Sequence, residues 1–259
     1  MADKPKYQHE LADRLASITR YLSLEFVDSQ EEQENEPDLK DLPPALLYLR
    51  AFWETICREW RGIDRLRLNK FYYLMKQFMT TGFDLLKSVE FDRDFTCVYF
   101  GIIQEFPLNV FNQKIPSAIK IHFIENYVIG IRNLGILLDE GLTIILLSPL
   151  FEALSKVEDK AVLRSLEEVF MNIIATHSEE DNSDEEEDDA KSEEDTDATE
   201  DALDLGLFTE TLFSMGADPE VKDANRKVLY KLSELYKPFE SDPSPCSEGC
   251  ACSDEHDDE

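Results

Sequence analysis

Four metal-donor side chains crowd the end of the sequence, where PCSEGCACSDEH holds Cys246, Cys250, Cys252 and His256. Three thiolates and an imidazole match in number the ligands of a tetrahedral zinc site. The spacing is not a CxxC pair, no second knuckle exists, and the acidic surroundings offer no scaffold for a site to couple to. These four remain weak candidates, and no metal or cofactor is expected; zinc content of the purified protein decides it. Catalytic chemistry has as little to stand on. The sequence has no GxSxG elbow, no GxxxxGK[ST] phosphate loop, no GxGxxG after a strand and no HExxH. Only four histidines are present. His122 sits among Ile121, Phe123 and Ile124 and reads as a core or border residue, while His9 and His177 flank helices without a partner signal. An enzyme is not expected, nor a small-molecule substrate.

The pattern with chemical content is cationic. FWETICREWRGIDRLRLNKFYYLMKQF, Phe52 to Phe78, carries Arg58, Arg61, Arg65, Arg67, Lys70 and Lys76 inside a chain of formal net charge −30. Two readings stand side by side. The basic side chains can border buried stripes, with stems on apolar surface and heads paired to Glu54, Glu59, Asp64 or acidic segments elsewhere. Alternatively Arg58, Arg61, Arg65 and Arg67, crowded around a tight interhelical turn with Lys70 just beyond, form one electropositive patch for phosphate backbone or an acidic partner. Trp53 and Trp60, two turns apart on one helix face, are assigned to the core.

The elements that must position this turn are helical. Charge is concentrated in three segments: 28–41 sums to −6, 178–204 to −15 and 240–259 to −8, so the rest of the chain is nearly neutral. At 259 residues with 42% apolar content, a sizeable core is expected. No secretory signal opens the sequence, and the apolar stretch Leu142 to Leu147, interrupted by Thr143, is far too short to span a membrane. Five cysteines, two of them inside helical patterns, read as reduced thiols of an intracellular protein.

Apolar residues recur at helical spacing almost throughout. Tyr7, Leu11, Leu15, Ile18, Leu22 and Phe26 line one first helix. Pro43 and Pro44 open a second that carries Leu49, Phe52, Trp53, Ile56 and Trp60 and stops near Gly62. Asp64 is the expected N-cap of a third, built on Leu68, Phe71, Tyr72, Met75, Phe78 and Met79. A fourth starts after Asp92 or Asp94. The loop PLNVFNQKIP leads to a fifth, and helices at about 143–156, 159–176, 203–215 and 221–236 follow. About nine paired helices predict an all-α fold, an α-solenoid of the armadillo or HEAT type, although no clean sequence repeat is visible. The expected organisation is a helical body over 1–177 with an acidic loop at 28–41, a disordered acidic insert at 178–204, a helix pair at 205–239 and a disordered acidic tail at 240–259.

FWETICREW followed by RGIDRLRLNKF and FYYLMKQF closely resembles the signature of the ribosomal RNA-processing protein 1 (Nop52-type) family of nucleolar ribosome-biogenesis factors. Phe52, Trp53, Arg58, Glu59, Trp60, Gly62, Ile63, Asp64, Arg65, Leu66, Arg67, Leu68, Lys70, Phe71 and Tyr72 match it, and Asn69 replaces the usual Asp. MADKPKYQHELA, IPSAIKIHFIENYVIGI, LLSPLFEALSKVEDKAVL and NRKVLYKLSELYK agree more loosely. The resemblance implies a non-catalytic helical scaffold of the nucleolar pre-ribosome, with assembly factors or precursor rRNA as partners. It also implies that the island is a binding surface. Family members have further helices before the DKP segment, so the first helix is expected to show an apolar face, and either the reading frame is truncated or the stripe Leu11, Leu15, Ile18 and Leu22 is covered by a partner. The function of a different class kept beside this one is an acidic chaperone for basic proteins.

Ser178, Ser183 and Ser192 each precede an acidic residue by three positions in acidic surroundings, the pattern acidophilic kinases prefer. Mass spectrometry of the native protein is expected to find these serines phosphorylated, and their absence from the phosphopeptides removes the assignment.

Overall fold

The computed structural model describes residues 4–26, 41–134, 140–180 and 205–235. Among these residues the chain is all-helical, with nine α-helices and no strand. They are α1 (Pro5–Ser17), α2 (Pro44–Glu59), α3 (Leu68–Ser88), α4 (Arg93–Glu105), α5 (Ser117–Asn133), α6 (Glu140–Lys156), α7 (Lys160–Glu180), α8 (Leu205–Ala217) and α9 (Asp223–Leu235).

Local chemistry sets several boundaries. Pro5 and Pro44 sit in the first turns of α1 and α2, where a missing N–H leaves no bond unmade. The Asp92 carboxylate accepts from the Phe95 N–H at 3.0 Å and caps α4. The stripe expected to run to Phe26 on one helix is divided. The Ser17 and Thr19 hydroxyls donate back to the Arg14 and Ala16 carbonyls at 2.8 and 2.7 Å, offering the backbone an alternative to the helix ladder. α1 therefore ends at Ser17, a 3-10 turn covers Ile18–Tyr21, and Leu22 is extended. Leu11, Ile18 and the two tyrosines Tyr7 and Tyr21 are exposed. α7 continues through Ser178 to Glu180, beyond the expected start of the acidic insert.

The odd-numbered helices lie side by side and run in one direction. His9 stacks on Tyr73 at 3.9 Å while Arg20 reaches Asp84 at 3.1 Å, which makes α1 and α3 parallel. Tyr72 against His122 and Lys87 donating to the Leu134 carbonyl do the same for α3 and α5. The Ser117 hydroxyl donates to Asp159, and Arg132 to the Asn172 carbonyl, aligning α5 with α7. Lys222 with Glu158 and Lys231 with Glu167 align α7 with α9. The N-terminal ends of these helices thus share one edge. The α2–α3 and α4–α5 connections lie on that edge. The C-terminal ends of α1, α3, α5, α7 and α9 lie at the other.

α2 is wedged over this layer by aromatic packing. Phe52 stacks on Phe78 of α3 with centroids 3.6 Å apart, and Trp53 meets Phe123 of α5 edge-on at 5.3 Å. Phe83 fills the space between α3 and α5, 5.0 Å from the Tyr127 ring. A Cβ at Gly130 would stand 2.4 Å from the Phe83 ring, whereas one at Gly101, on the outer face of α4, meets nothing within 4 Å.

His122 ties α5 to the start of α3. Its Nε2 lies 3.1 Å from the Tyr72 carbonyl oxygen and its Nδ1 3.3 Å from the Asn126 amide nitrogen, the geometry of a neutral ring that donates at one nitrogen and accepts at the other. Burial holds its pKa below the usual histidine value, the Tyr72 carbonyl opposes that, and Lys76 adds to it.

Two outcomes follow. Gly130→Ala is expected to lower unfolding stability by about 1–3 kcal/mol through overpacking, whereas Gly101→Ala is expected to raise it by up to about 1 kcal/mol through helix propensity; urea unfolding of both variants checks the opposite signs. Because the folded pKa of His122 is depressed, its contribution is complete above the unfolded value near pH 6.5 and is lost as pH falls through the folded value. The urea midpoint is expected to decline from pH 7 to pH 5, and His122→Asn to flatten that decline.

Candidate functional site

α2 ends at Glu59, and a 3-10 turn, Trp60–Gly62, carries the chain into the segment before α3. Two anchors pin this turn. Trp60 is buried with its ring 5.1 Å from Tyr72. The Asp64 carboxylate accepts from the Leu66 and Arg67 N–H groups at 3.0 and 3.1 Å. It also accepts from the Arg67 Nε at 2.5 Å, and that guanidinium bond leads the causes holding its pKa below the usual carboxylate value. Asp64 was the expected N-cap of α3, but Arg67 occupies that position, and its side chain makes no capping bond to the helix. The carboxylate reaches N–H groups two and three residues on while the backbone is still a turn, so it organises the turn instead.

The guanidinium groups divide into two sets. Arg58 pairs with Glu59 at 2.8 Å and Glu54 at 3.7 Å, and Arg67 pairs with Asp64. Arg61 and Arg65 make no ion pair among the described residues, and Lys70 lies 5.8 Å from the centre of the Phe71 ring. The paired groups are still exposed, with 60% of the Arg58 and 50% of the Arg67 side-chain surface open. Such surface pairs contribute about 0–1 kcal/mol and exchange readily for another anion. Leu66 stands at the tip of the turn, 96% exposed, a feature the sequence pattern did not single out.

Beside the turn an open groove of about 670 Å³ separates the end of α2 from residues 105–115. Cys57, Phe106 and Ile115 line its apolar part; Arg58, Arg61 and Lys114 line its charged part. The far wall is held by asparagines. The Asn109 side chain donates to the Glu105 carbonyl at 3.0 Å and accepts from the Phe111 and Asn112 N–H groups at 3.2 and 2.9 Å. The Asn112 side chain accepts from the Lys114 N–H at 2.9 Å. Behind it the buried Lys120 ammonium donates to the Asn112 carbonyl at 3.1 Å. Burial lowers the Lys120 pKa, against the pull of Asp159 and then Cys57. The two acids of the groove hold cations: Arg50 reaches Glu105 at 2.7 Å and Glu54 at 3.5 Å, and its guanidinium lies 5.0 Å over the Phe106 ring. Burial pushes the Cys57 thiol up to about 12, with Lys120 opposing, so at neutral pH it is a thiol and no nucleophile.

The structure therefore brings Arg58, Arg61, Arg65, Arg67 and Lys70 together at one connection, and adds Lys114 across the groove. His122 serves as a brace between helices, and His9, expected to flank a helix, lies inside α1 against Tyr73. Among the described residues no group of three His, Cys, Asp or Glu side chains could hold a metal ion, and no helix is long and apolar enough to cross a membrane. Cys246, Cys250, Cys252, His256, Ser183 and Ser192 lie outside the described residues; Ser178 is on α7.

Comparison with known proteins gives this arrangement a family. Ribosomal RNA processing protein 1 homolog B of Homo sapiens is 27% identical over 167 residues, 63% of this chain and 19% of that protein. Homolog A of Mus musculus is 28% identical over 178 residues, 67% of this chain and 32% of that protein. The homolog of Dictyostelium discoideum is 24% identical over 255 residues, 91% of this chain and 48% of that protein. The chain thus spans less than half the length of these relatives. The family model described as nucleolar protein, Nop52, matches residues 1–233, and the chain belongs to that family.

Proposed function

We propose that this protein is a non-catalytic helical scaffold of the nucleolar pre-ribosome, acting in precursor rRNA processing and subunit assembly. It docks through the α2–α3 turn. The relatives are named for ribosomal RNA processing and the family for the nucleolus, which supports the process and the compartment. The parallel run of odd-numbered helices supports an α-solenoid, with the body, acidic insert, C-terminal helix pair and acidic tail as its parts.

The observation that carries the docking site is the pinned turn. It holds Arg61 and Arg65 without an ion pair among the described residues and leaves Arg58 and Arg67 in exposed pairs that a phosphate backbone can replace. The placement of charge supports the same reading. The acidic stretches 28–41, 178–204 and 240–259 hold −29 of the formal net charge of −30, and the cations of the turn lie outside all three.

Those acidic stretches also favour the second reading, a chaperone for basic proteins, and one set of variants separates the two. Changing Arg58, Arg61, Arg65 and Arg67 together to Ala is expected to release the protein from pre-ribosomal particles in salt-dependent co-sedimentation. The slope of log affinity on log salt should fall by about 0.7–0.9 for each phosphate contact removed. Deleting 181–204 and 240–259 is expected to leave co-sedimentation in place. Unchanged sedimentation of the arginine variant, with helical circular dichroism preserved, overturns the docking site; loss of function on deleting the acidic stretches alone favours the chaperone.

A further inference from the structure

The α2 to α4–α5 groove lies outside the turn itself, and its lining has a chemistry that the turn does not need. We propose that this groove seats one unpaired nucleotide of an RNA strand, with the flanking phosphates on Arg61 at one lip and Lys114 at the other. The proposal rests on the reading that this edge meets nucleic acid, and it adds a preference for single strands.

Four observations converge on it. The groove is open and of about 670 Å³, within the range of small-ligand sites of about 300–1,000 Å³ and too small for a run of bases. Its walls are set before any ligand arrives, because the Asn109 and Asn112 side chains and the buried Lys120 ammonium fix the far wall by hydrogen bonds to backbone. Its interior offers what a base needs. The Phe106 ring with the Arg50 guanidinium above it is a stacking surface, and Cys57 and Ile115 add apolar area. Its charges are arranged by position: Glu54 and Glu105 are neutralised by Arg50 and Arg58, whereas Arg61 and Lys114 make no ion pair among the described residues.

The carboxylates choose between the macromolecules that a cationic lip could attract. Oxygens of Glu54 and Glu105 can accept from the ring and exocyclic N–H groups of a base. The side-chain carboxylates of an acidic peptide offer those oxygens no N–H group to accept from. A duplex leaves no base free to enter, so it can engage the turn and not the groove.

The test uses the full chain, fluorescence anisotropy, and two labelled RNAs of about twelve nucleotides, one single-stranded and one a duplex. Lys114→Glu is expected to weaken the single strand about five- to tenfold, as loss and reversal of one phosphate contact, and to leave the duplex within about twofold. Lys114→Arg should restore the single strand. Substituting 4-thiouridine in the single strand and irradiating should crosslink the tryptic peptide 94–114, which contains Phe106. Equal weakening of both RNAs, unchanged single-strand binding, or crosslinks confined to residues 59–70 each overturn the groove assignment while the turn's role stands. Failure of the four-arginine variant to weaken either RNA removes the underlying reading instead. Binding of a labelled poly-glutamate peptide that depends on Lys114, with no binding of the single strand, assigns the groove to an acidic protein and overturns the proposal.

Discussion

The wedge of α2 over α3 and α5 is the interaction on which the basic edge depends. Phe52 on Phe78 and Trp53 against Phe123 fix the direction of α2 relative to two helices at once. Trp60, the residue that follows the end of α2, is then buried against Tyr72. The arginines follow from that, because a chain leaving a buried tryptophan and entering α3 eight residues later must turn sharply in solvent. Aromatic area buried in three helices thus determines where exposed guanidinium groups stand, although none of those groups contributes much to the fold.

The same connection shows how a charged surface can be rigid and still available. Asp64 spends its oxygens on two backbone N–H groups and one guanidinium, so the backbone is held without any arginine being buried. Arg58 and Arg67 rest on neighbouring carboxylates, which lowers the self-repulsion of four clustered cations in the free protein. Arg61 and Arg65 make no ion pair among the described residues, and Arg58 and Arg67 stand in exposed, exchangeable ones. Beside the groove the same pairing recurs, with Arg50 reaching both Glu54 and Glu105.

Much of this was legible in the residues. The helical periods of α2, α3 and α5 gave elements close to those observed, and the seven-residue spacing of Trp53 and Trp60 marked both as core, because burial of large aromatics follows from sterics that a sequence displays. The helix count and the all-helical character also follow from spacing alone. Other features depend on where hydroxyls and carboxylates point. The break after Ser17 needed the bonds from Ser17 and Thr19 to backbone carbonyls, and the role of Asp64 needed the turn geometry, neither of which has a periodic signature. Lys120 lies in the core stripe of α5, and only the packing of the 106–116 segment over it explains an ammonium there. The groove, with Lys114 on its lip, joins residues more than fifty positions apart and is invisible to local pattern.

Parity has a consequence of its own. In a stack where odd-numbered helices share one direction, whatever is spliced in after an odd helix is delivered to the same side, whatever its length. Residues 27–40 follow α1 and its short turn, 181–204 follow α7, and 236–259 follow α9. The described chain breaks off for each of them beyond the C-terminal ends of those parallel helices, and the turn that bears Arg61 and Arg65 stands at the N-terminal ends. The architecture therefore puts the exits of these segments and the arginine-bearing turn at opposite ends of one layer of helices.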